Sequence, residues 1–258
     1  MKKKVIVSFL VIIFPAAFYF LWLSPRYTVP ILMYHSINYK EGSHFVSPEN
    51  FVKQMGYIKK KGYEVITLDE LARSIKSRQK MKKNKVVITF DDGYQDNFKY
   101  AYPVLKKLGF PATIFLVTDF MGREKRFLSW DEVRIMSKNN ISFGAHTKSH
   151  FYLGSSMDEG AAREEIAGPR KRIEQETGTA ADYFCYPTGG FNERIKEIVK
   201  EAGYEGACTT NRGFARFNRD VYELKRVKVN NSDTNKPLSF WIKLSGYYNL
   251  IRSQRNPN

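Results

Sequence analysis

Two short polar clusters hold residue types suited to chemistry. The first is Thr89-Phe90-Asp91-Asp92-Gly93, a pair of adjacent acids at the end of an apolar run. Neighbouring carboxylates repel each other unless a cation or a shared proton relieves them. The second is His146-Thr147-Lys148-Ser149-His150, which contains two of the chain's four histidines. Imidazole ligates zinc and similar divalent ions, and a spacing of four lets two rings share a helical face or converge across a turn. Taken singly, each cluster has an ordinary explanation: an Asp-Gly turn with solvated carboxylates, and a hydrogen-bonded histidine pair. Taken together they supply three ligands, an open coordination position and a spare carboxylate. That is the layout of metal-assisted hydrolysis.

The elements around these clusters bring them to one rim. Residues 29–34 and 85–90 read as apolar strands running into His35 and Asp91. Further strands over 112–117, 141–145, 183–186 and 205–209 alternate with helices over 48–61, 96–108, 130–138, 158–177 and 192–202, and another helix starts at Thr67. This alternation predicts an α/β fold, a parallel sheet covered by helices. About seven such units favour a distorted or incomplete (β/α) barrel over an open sheet. In such barrels the chemistry lies at the C-terminal ends of the strands, where His35, Asp91, Asp92, His146 and the segment after Tyr186 fall. His44 lies in a polar loop without a partner pattern, and a surface position is expected. The tail aromatics Phe240, Trp241, Tyr247 and Tyr248 have helical spacing and are expected to pack against the barrel.

The chain of 258 residues is 43% hydrophobic and 15% aromatic, which excludes a disordered protein and allows one large domain. Its 42 Lys+Arg against 26 Asp+Glu give a net charge of +16 and favour anionic neighbours. No nucleic-acid-binding module is recognisable, so no nucleic-acid partner is inferred, nor an obligate protein partner. Lys2, Lys3 and Lys4 precede an uncharged, mostly apolar run over residues 5–23 that is long enough to cross a bilayer as a helix. Bulky residues end the run where a signal peptidase needs small ones, so an uncleaved anchor is preferred to secretion after cleavage. Residues 1–27 are then cytoplasmic lysines and a transmembrane anchor, with residues 28–258 as one extracytoplasmic catalytic domain. Cys185 and Cys208 could form a disulfide outside the cell, although buried free thiols fit their apolar settings as well.

The two clusters resemble the first two motifs of the polysaccharide deacetylases, carbohydrate esterase family 4 with its NodB homology domain, and the likeness covers about residues 29–230. Ile31-Leu32-Met33-Tyr34-His35-Ser36, Phe127-Leu128-Ser129-Trp130-Asp131 and Tyr183-Phe184-Cys185-Tyr186-Pro187-Thr188-Gly189-Gly190 are similar to the branch containing poly-β-1,6-N-acetylglucosamine deacetylases. The resemblance implies an enzyme that removes N-acetyl groups from a polysaccharide, and the expected anchor would hold it at the membrane with its substrate outside the cytoplasm. It makes Asp91 the general base, and Asp92, His146 and His150 the ligands of zinc or another divalent ion. A water deprotonated by Asp91 attacks the acetamide carbonyl, and a backbone N–H near Tyr186, Pro187 and Thr188 helps to hold the oxyanion. The wider family takes its general acid from a C-terminal histidine, and this chain has none after His150. In the closer branch the Met-Tyr-His segment supplies it, which here implies His35. Trp130 and Asp131 resemble a groove-wall pair, while Ser129-Trp130-Asp131-Glu132 also reads as a helix start. In the wider family an arginine in the third motif holds the catalytic aspartate, and Cys185 stands at that position here. Peptidoglycan or chitin-like oligomers, an O-acetyl ester, and an inactive carbohydrate-binding relative remain alternatives.

Overall fold

The computed structural model describes residue 15, residues 17–154 and residues 158–257. The expected anchor over residues 5–23 falls largely outside them. Among the described residues, no helix is long and apolar enough to cross a membrane.

The chain alternates strand and helix as its pattern predicts. β1 (Ile31–Tyr34) is followed by β2 (Ser36–Ile37), β3 (Phe45–Val46), α1 (Pro48–Lys60), β4 (Glu64–Val65) and α2 (Leu68–Lys76). Then come β5 (Lys85–Phe90), α3 (Tyr102–Leu108), β6 (Ala112–Leu116), α4 (Trp130–Ser137), β7 (Ile141–Ala145) and α5 (Glu159–Thr177). The sheet ends with β8 (Tyr183–Cys185), α6 (Glu193–Glu201), β9 (Gly206–Thr209), β10 (Leu224–Lys225) and β11 (Val227–Lys228). Three short helices close the chain: α7 (Asn231–Asn235), α8 (Pro237–Leu244) and α9 (Tyr248–Ile251). Caps set several helix starts. Ser129 and Glu132 form a reciprocal capping box on α4, as Thr67 and Glu70 do on α2.

The strand order is β10-β9-β8-β7-β6-β5-β1-β11, all parallel, with β4 attached to β5 off this path. Its two ends are neighbours in sequence, because only Arg226 separates β10 from β11. One run therefore pairs with β9 through its first half and with β1 through its second. The sheet is nearly closed into an eight-strand barrel. The sequence suggests about seven strands because its apolar pattern stops at residue 209; a run with Lys225, Arg226 and Lys228 does not read as a buried strand.

Side chains alternate across the sheet and separate two layers. Leu32, Ile88, Ile114, Phe143 and Phe184 pack outward under the helices. Ile31, Val87, Phe115, Tyr183, Cys185, Cys208 and Leu224 form a second cluster on the opposite parity, facing the barrel axis. Phe115 fills this lumen so fully that a Cβ on Gly144 would lie 2.7 Å from its ring and 2.5 Å from Tyr183 O. Following the inward parity to the strand ends leads from Ile31 to Met33 and His35, from Val87 to Thr89 and Asp91, and from Leu224 to Arg226 and Lys228. The fold thus aims a set of polar side chains at one mouth. Cys185 and Cys208 are register partners on β8 and β9, and both are buried free thiols.

Candidate active site and metal centre

Where β5 ends, two consecutive carboxylates part company. Asp91 still belongs to the ladder, its N–H donating to Tyr34 O at 3.0 Å. Asp92 then takes φ 71°, a left-handed conformation that turns the chain, and Gly93 follows at φ 72°. A Cβ on Gly93 would meet Leu116 Cδ2 at 2.7 Å, so glycine is needed for both reasons.

Asp91 is buried and held by a fork. Arg226 donates from Nη1 to Oδ1 at 2.5 Å and from Nη2 to Oδ2 at 2.7 Å. The same guanidinium donates to Thr89 Oγ1 at 3.1 Å, Cys185 Sγ at 3.0 Å and Thr209 O at 3.1 Å. Burial alone raises the Asp91 pKa, but the Arg226 charge and its hydrogen bonds outweigh that and hold it well below the carboxylate range. This is the group that orients Asp91 where Cys185 occupies the place of the family's arginine. The small thiol leaves room for a guanidinium that arrives from the other side of the barrel. Sequence spacing gave no sign of it.

Asp92 faces the histidines. Its Oδ1 lies 3.5 Å from His146 Nε2 and 3.4 Å from His150 Nε2, and it is buried without a hydrogen-bond partner among the described residues. The His146 Nδ1 lies 2.7 Å from Cys185 O and donates to it, which leaves Nε2 as a lone pair pointing at Asp92. The two rings converge across a turn, not along a helix, with Thr147 at φ 61° and His150 at φ 65°. Glu165 of α5 holds this turn, accepting from Lys148 N at 3.0 Å, Ser149 N at 2.9 Å and Ser149 Oγ at 2.7 Å. Burial lowers the His146 pKa, whereas the nearby Asp92 carboxylate raises that of His150. One carboxylate oxygen without a donor, facing two imidazole nitrogens, is a donor set that suits a divalent cation.

His35 sits beside this pair, with Nε2 3.8 Å from Asp91 Oδ2 and its buried Nδ1 unpartnered among the described residues. Burial lowers its pKa to about 4 against the pull of Asp91 and Asp92. His44 is exposed, as expected, but it lies on the rim of this site. Ser36 N donates to His44 O at 3.2 Å across the β2–β3 pair, which swings the His44 ring to 4.7 Å from that of His35. Lys228 Nζ donates to His44 Nε2 at 3.1 Å.

These residues line one open cavity of about 810 Å³, with Asp91, Asp92, His35, His44, His146, His150 and Arg226 among its walls. Tyr186 and Thr188 also line it, whereas Pro187, Trp130 and Asp131 do not. The Tyr186 N–H is used by Cys208 O at 3.0 Å and its hydroxyl donates to Tyr222 O at 3.1 Å. Pro187 has no N–H, so Thr188, at φ 53°, carries the backbone donor that this turn has left to offer. Trp130 stacks under Arg172 at 5.3 Å and Asp131 pairs with Arg134 at 2.5 Å, so the helix-start reading of that segment describes them. The tail divides: Phe240 is buried against Tyr57, Trp241 is exposed, and Tyr248 lines the cavity.

A family model described as polysaccharide deacetylase matches residues 78–207. Bacillus subtilis YxkH is 34% identical over 201 residues, covering 78% of this chain and 71% of that protein. A Staphylococcus aureus poly-β-1,6-N-acetyl-D-glucosamine N-deacetylase is 24% identical over 211 residues, 77% of this chain and 72% of its own. Among solved structures, the Streptococcus pyogenes deacetylase PplD in complex with acetate has a TM-score of 0.71 at 26% identity, covering 78% of this chain and 92% of that one. The chain belongs to the polysaccharide deacetylase family, hydrolases of the amide bond between an acetyl group and a sugar nitrogen.

Proposed function

We propose that this protein removes N-acetyl groups from an N-acetylglucosamine-containing polymer outside the cytoplasm, releasing acetate, with zinc held by Asp92, His146 and His150. The observation that carries the reading is the convergence of that donor set, the Arg226-clamped Asp91 and His35 on one cavity. When bound, the ion supplies Lewis acidity to the acyl oxygen and to the attacking water. The substrate class follows that of the Staphylococcus aureus relative, a poly-β-1,6-N-acetyl-D-glucosamine N-deacetylase. The location follows from Lys2–Lys4 and the uncharged run behind them.

Hydrolysis consumes one water: its oxygen joins the acyl carbon and its proton must end on the departing nitrogen. Asp91 receives the proton. Arg226 fixes its orientation and keeps its proton affinity low, so Asp91 gives the proton up again readily. His35, with Nε2 close to Asp91 Oδ2 and neutral at rest through burial, carries the proton to the leaving amine. Thr188 N–H faces the oxyanion. Acetate release from N-acetylglucosamine oligomers by the purified domain, together with its metal content, tests the reading. Absence of acetate from the metal-loaded protein sinks it.

A further inference from the structure

Beyond the catalytic centre, the cavity mouth carries cations that no catalytic step uses. We propose that it forms a subsite for a fixed negative charge on the polymer, a phosphodiester or carboxylate next to the sugar being deacetylated. The inference rests on the deacetylase reading above and narrows its substrate class.

Among the described residues, Asp91 and Asp92 are the only carboxylates in the cavity walls, whereas Lys228, Lys243, Arg212, Arg252 and Arg255 all line it besides Arg226. Arg226 cancels Asp91, and a bound divalent ion more than cancels Asp92. The remaining charge is positive. Lys243 is matched by Asp233 at 2.8 Å, but no ion pair with an acid is formed by Lys228, Arg252 or Arg255 among the described residues. Lys228 Nζ donates only to the neutral Ser43 Oγ at 3.0 Å and His44 Nε2 at 3.1 Å. Arg252 donates from Nη1 to Arg226 O at 2.6 Å, which fixes it beside the residue that clamps the base. Its Nη2 is buried and has no hydrogen-bond partner among the described residues. Burial pushes the Arg252 pKa down to about 10, a measure of what it costs to hold this cation without a counter-charge. A guanidinium kept in that state matches the geometry of a phosphate or carboxylate oxygen.

The test uses matched N-acetylglucosamine oligomers: neutral, phosphodiester-bearing and carboxylate-bearing. One charge-assisted contact predicts kcat/KM about 10-fold higher for a charged oligomer than for the neutral one, carried by KM and shrinking as salt rises. Whichever anion is preferred identifies the source of the charge. In the Arg252→Gln, Arg255→Gln double variant the ratio should fall towards one. Arg255→Gln alone, on an exposed side chain, should lower the ratio in part and guards against a folding defect at Arg252. Equal kcat/KM on all three oligomers, or an unchanged ratio in the variants, overturns the subsite while leaving the deacetylase reading intact. If no oligomer releases acetate, that reading fails, and equilibrium binding in chelator still decides the subsite. Tighter binding of a charged oligomer to wild type than to the double variant supports it; equal binding overturns it.

Discussion

The flank built by α5 and α6 and the mouth of the barrel treat charge in opposite ways. On the flank, Arg163 and Arg194 share Glu159 at 2.8 and 2.5 Å, and both also reach Glu201, at 2.7 and 3.1 Å. Both arginines have carboxylate partners, and each of these pairs is open to water. At the mouth, charge is buried and incompletely matched. Of six buried side-chain polar atoms without a partner among the described residues, three belong to its walls: His35 Nδ1, Asp92 Oδ1 and Arg252 Nη2. Of the six non-glycine residues with positive φ among the described residues, four, Asp92, Thr147, His150 and Thr188, lie in its turns. A flank can satisfy its charges locally because nothing has to bind them. A site that binds an ion and moves protons keeps groups unsatisfied and turns strained, at a cost in stability.

The largest expected effect comes from removing what the unsatisfied groups are there to hold. His146→Ala and His150→Ala should lose both bound metal and deacetylation, read by elemental analysis and acetate release, and chelation of the wild type should do the same. Asp91→Asn should behave differently, keeping the metal while turnover drops about 100- to 10,000-fold. If the histidine variants lose activity with full metal content, the mouth is not organised around a cation.

Next in size is His35→Ala. An amide leaves poorly as an anion, so losing the acid should cost about 100-fold or more on acetamides. An activated ester, whose leaving group needs no proton, should lose far less. Equal losses on both substrates, with metal content unchanged, would make His35 a packing residue.

Arg226→Gln sharpens the comparison more directly, because it gives the mouth an unpaired buried carboxylate. Breaking a buried pair from one side costs about 3–5 kcal/mol of stability. Loss of orientation at Asp91 should also lower turnover about 10- to 100-fold, the range for groups that position a site residue. Lysine cannot reproduce the fork, so Arg226→Lys should restore little. A variant with wild-type turnover would mean that Asp91 is oriented by its backbone alone.

How much of this was legible follows the same division. β5 and β7 are apolar runs ending in acids and a histidine, so hydrophobic pattern and polar termination together reveal both the strands and the ligands they carry. Arg226 is hidden because the run from β10 through β11 holds Lys225, Arg226 and Lys228 in five residues, a composition that reads as surface. It is buried only because Asp91, Thr89 and Thr209 wait inside the barrel to receive its donors. Cys185 showed that an arginine was missing without showing where its replacement came from, since the exchange is spatial. The approach of the exposed His44 to His35 was invisible for a related reason: one backbone bond to Ser36 places it, and no periodicity records that bond.

The smallest effect belongs to the flank. Hydrogen bonds from Arg194 and Arg163 hold the Glu159 pKa down to about 2, below its ordinary value. A depressed carboxylate contributes stability that is present above the ordinary range and lost as pH falls through the folded value. Because the group is exposed and screened, Glu159→Gln should shift the melting midpoint only slightly at pH 7. The gap from wild type should then narrow as pH falls from the ordinary carboxylate range towards 2. Deacetylation at neutral pH should be unchanged, as Glu159 touches nothing in the cavity. The flank does have one described route to the site: Glu165, on the same helix, holds the turn between His146 and His150. If Glu159→Gln lowers metal content or turnover, that helix transmits flank charge to the ligands. The separation between a screened flank and a strained mouth then fails at α5.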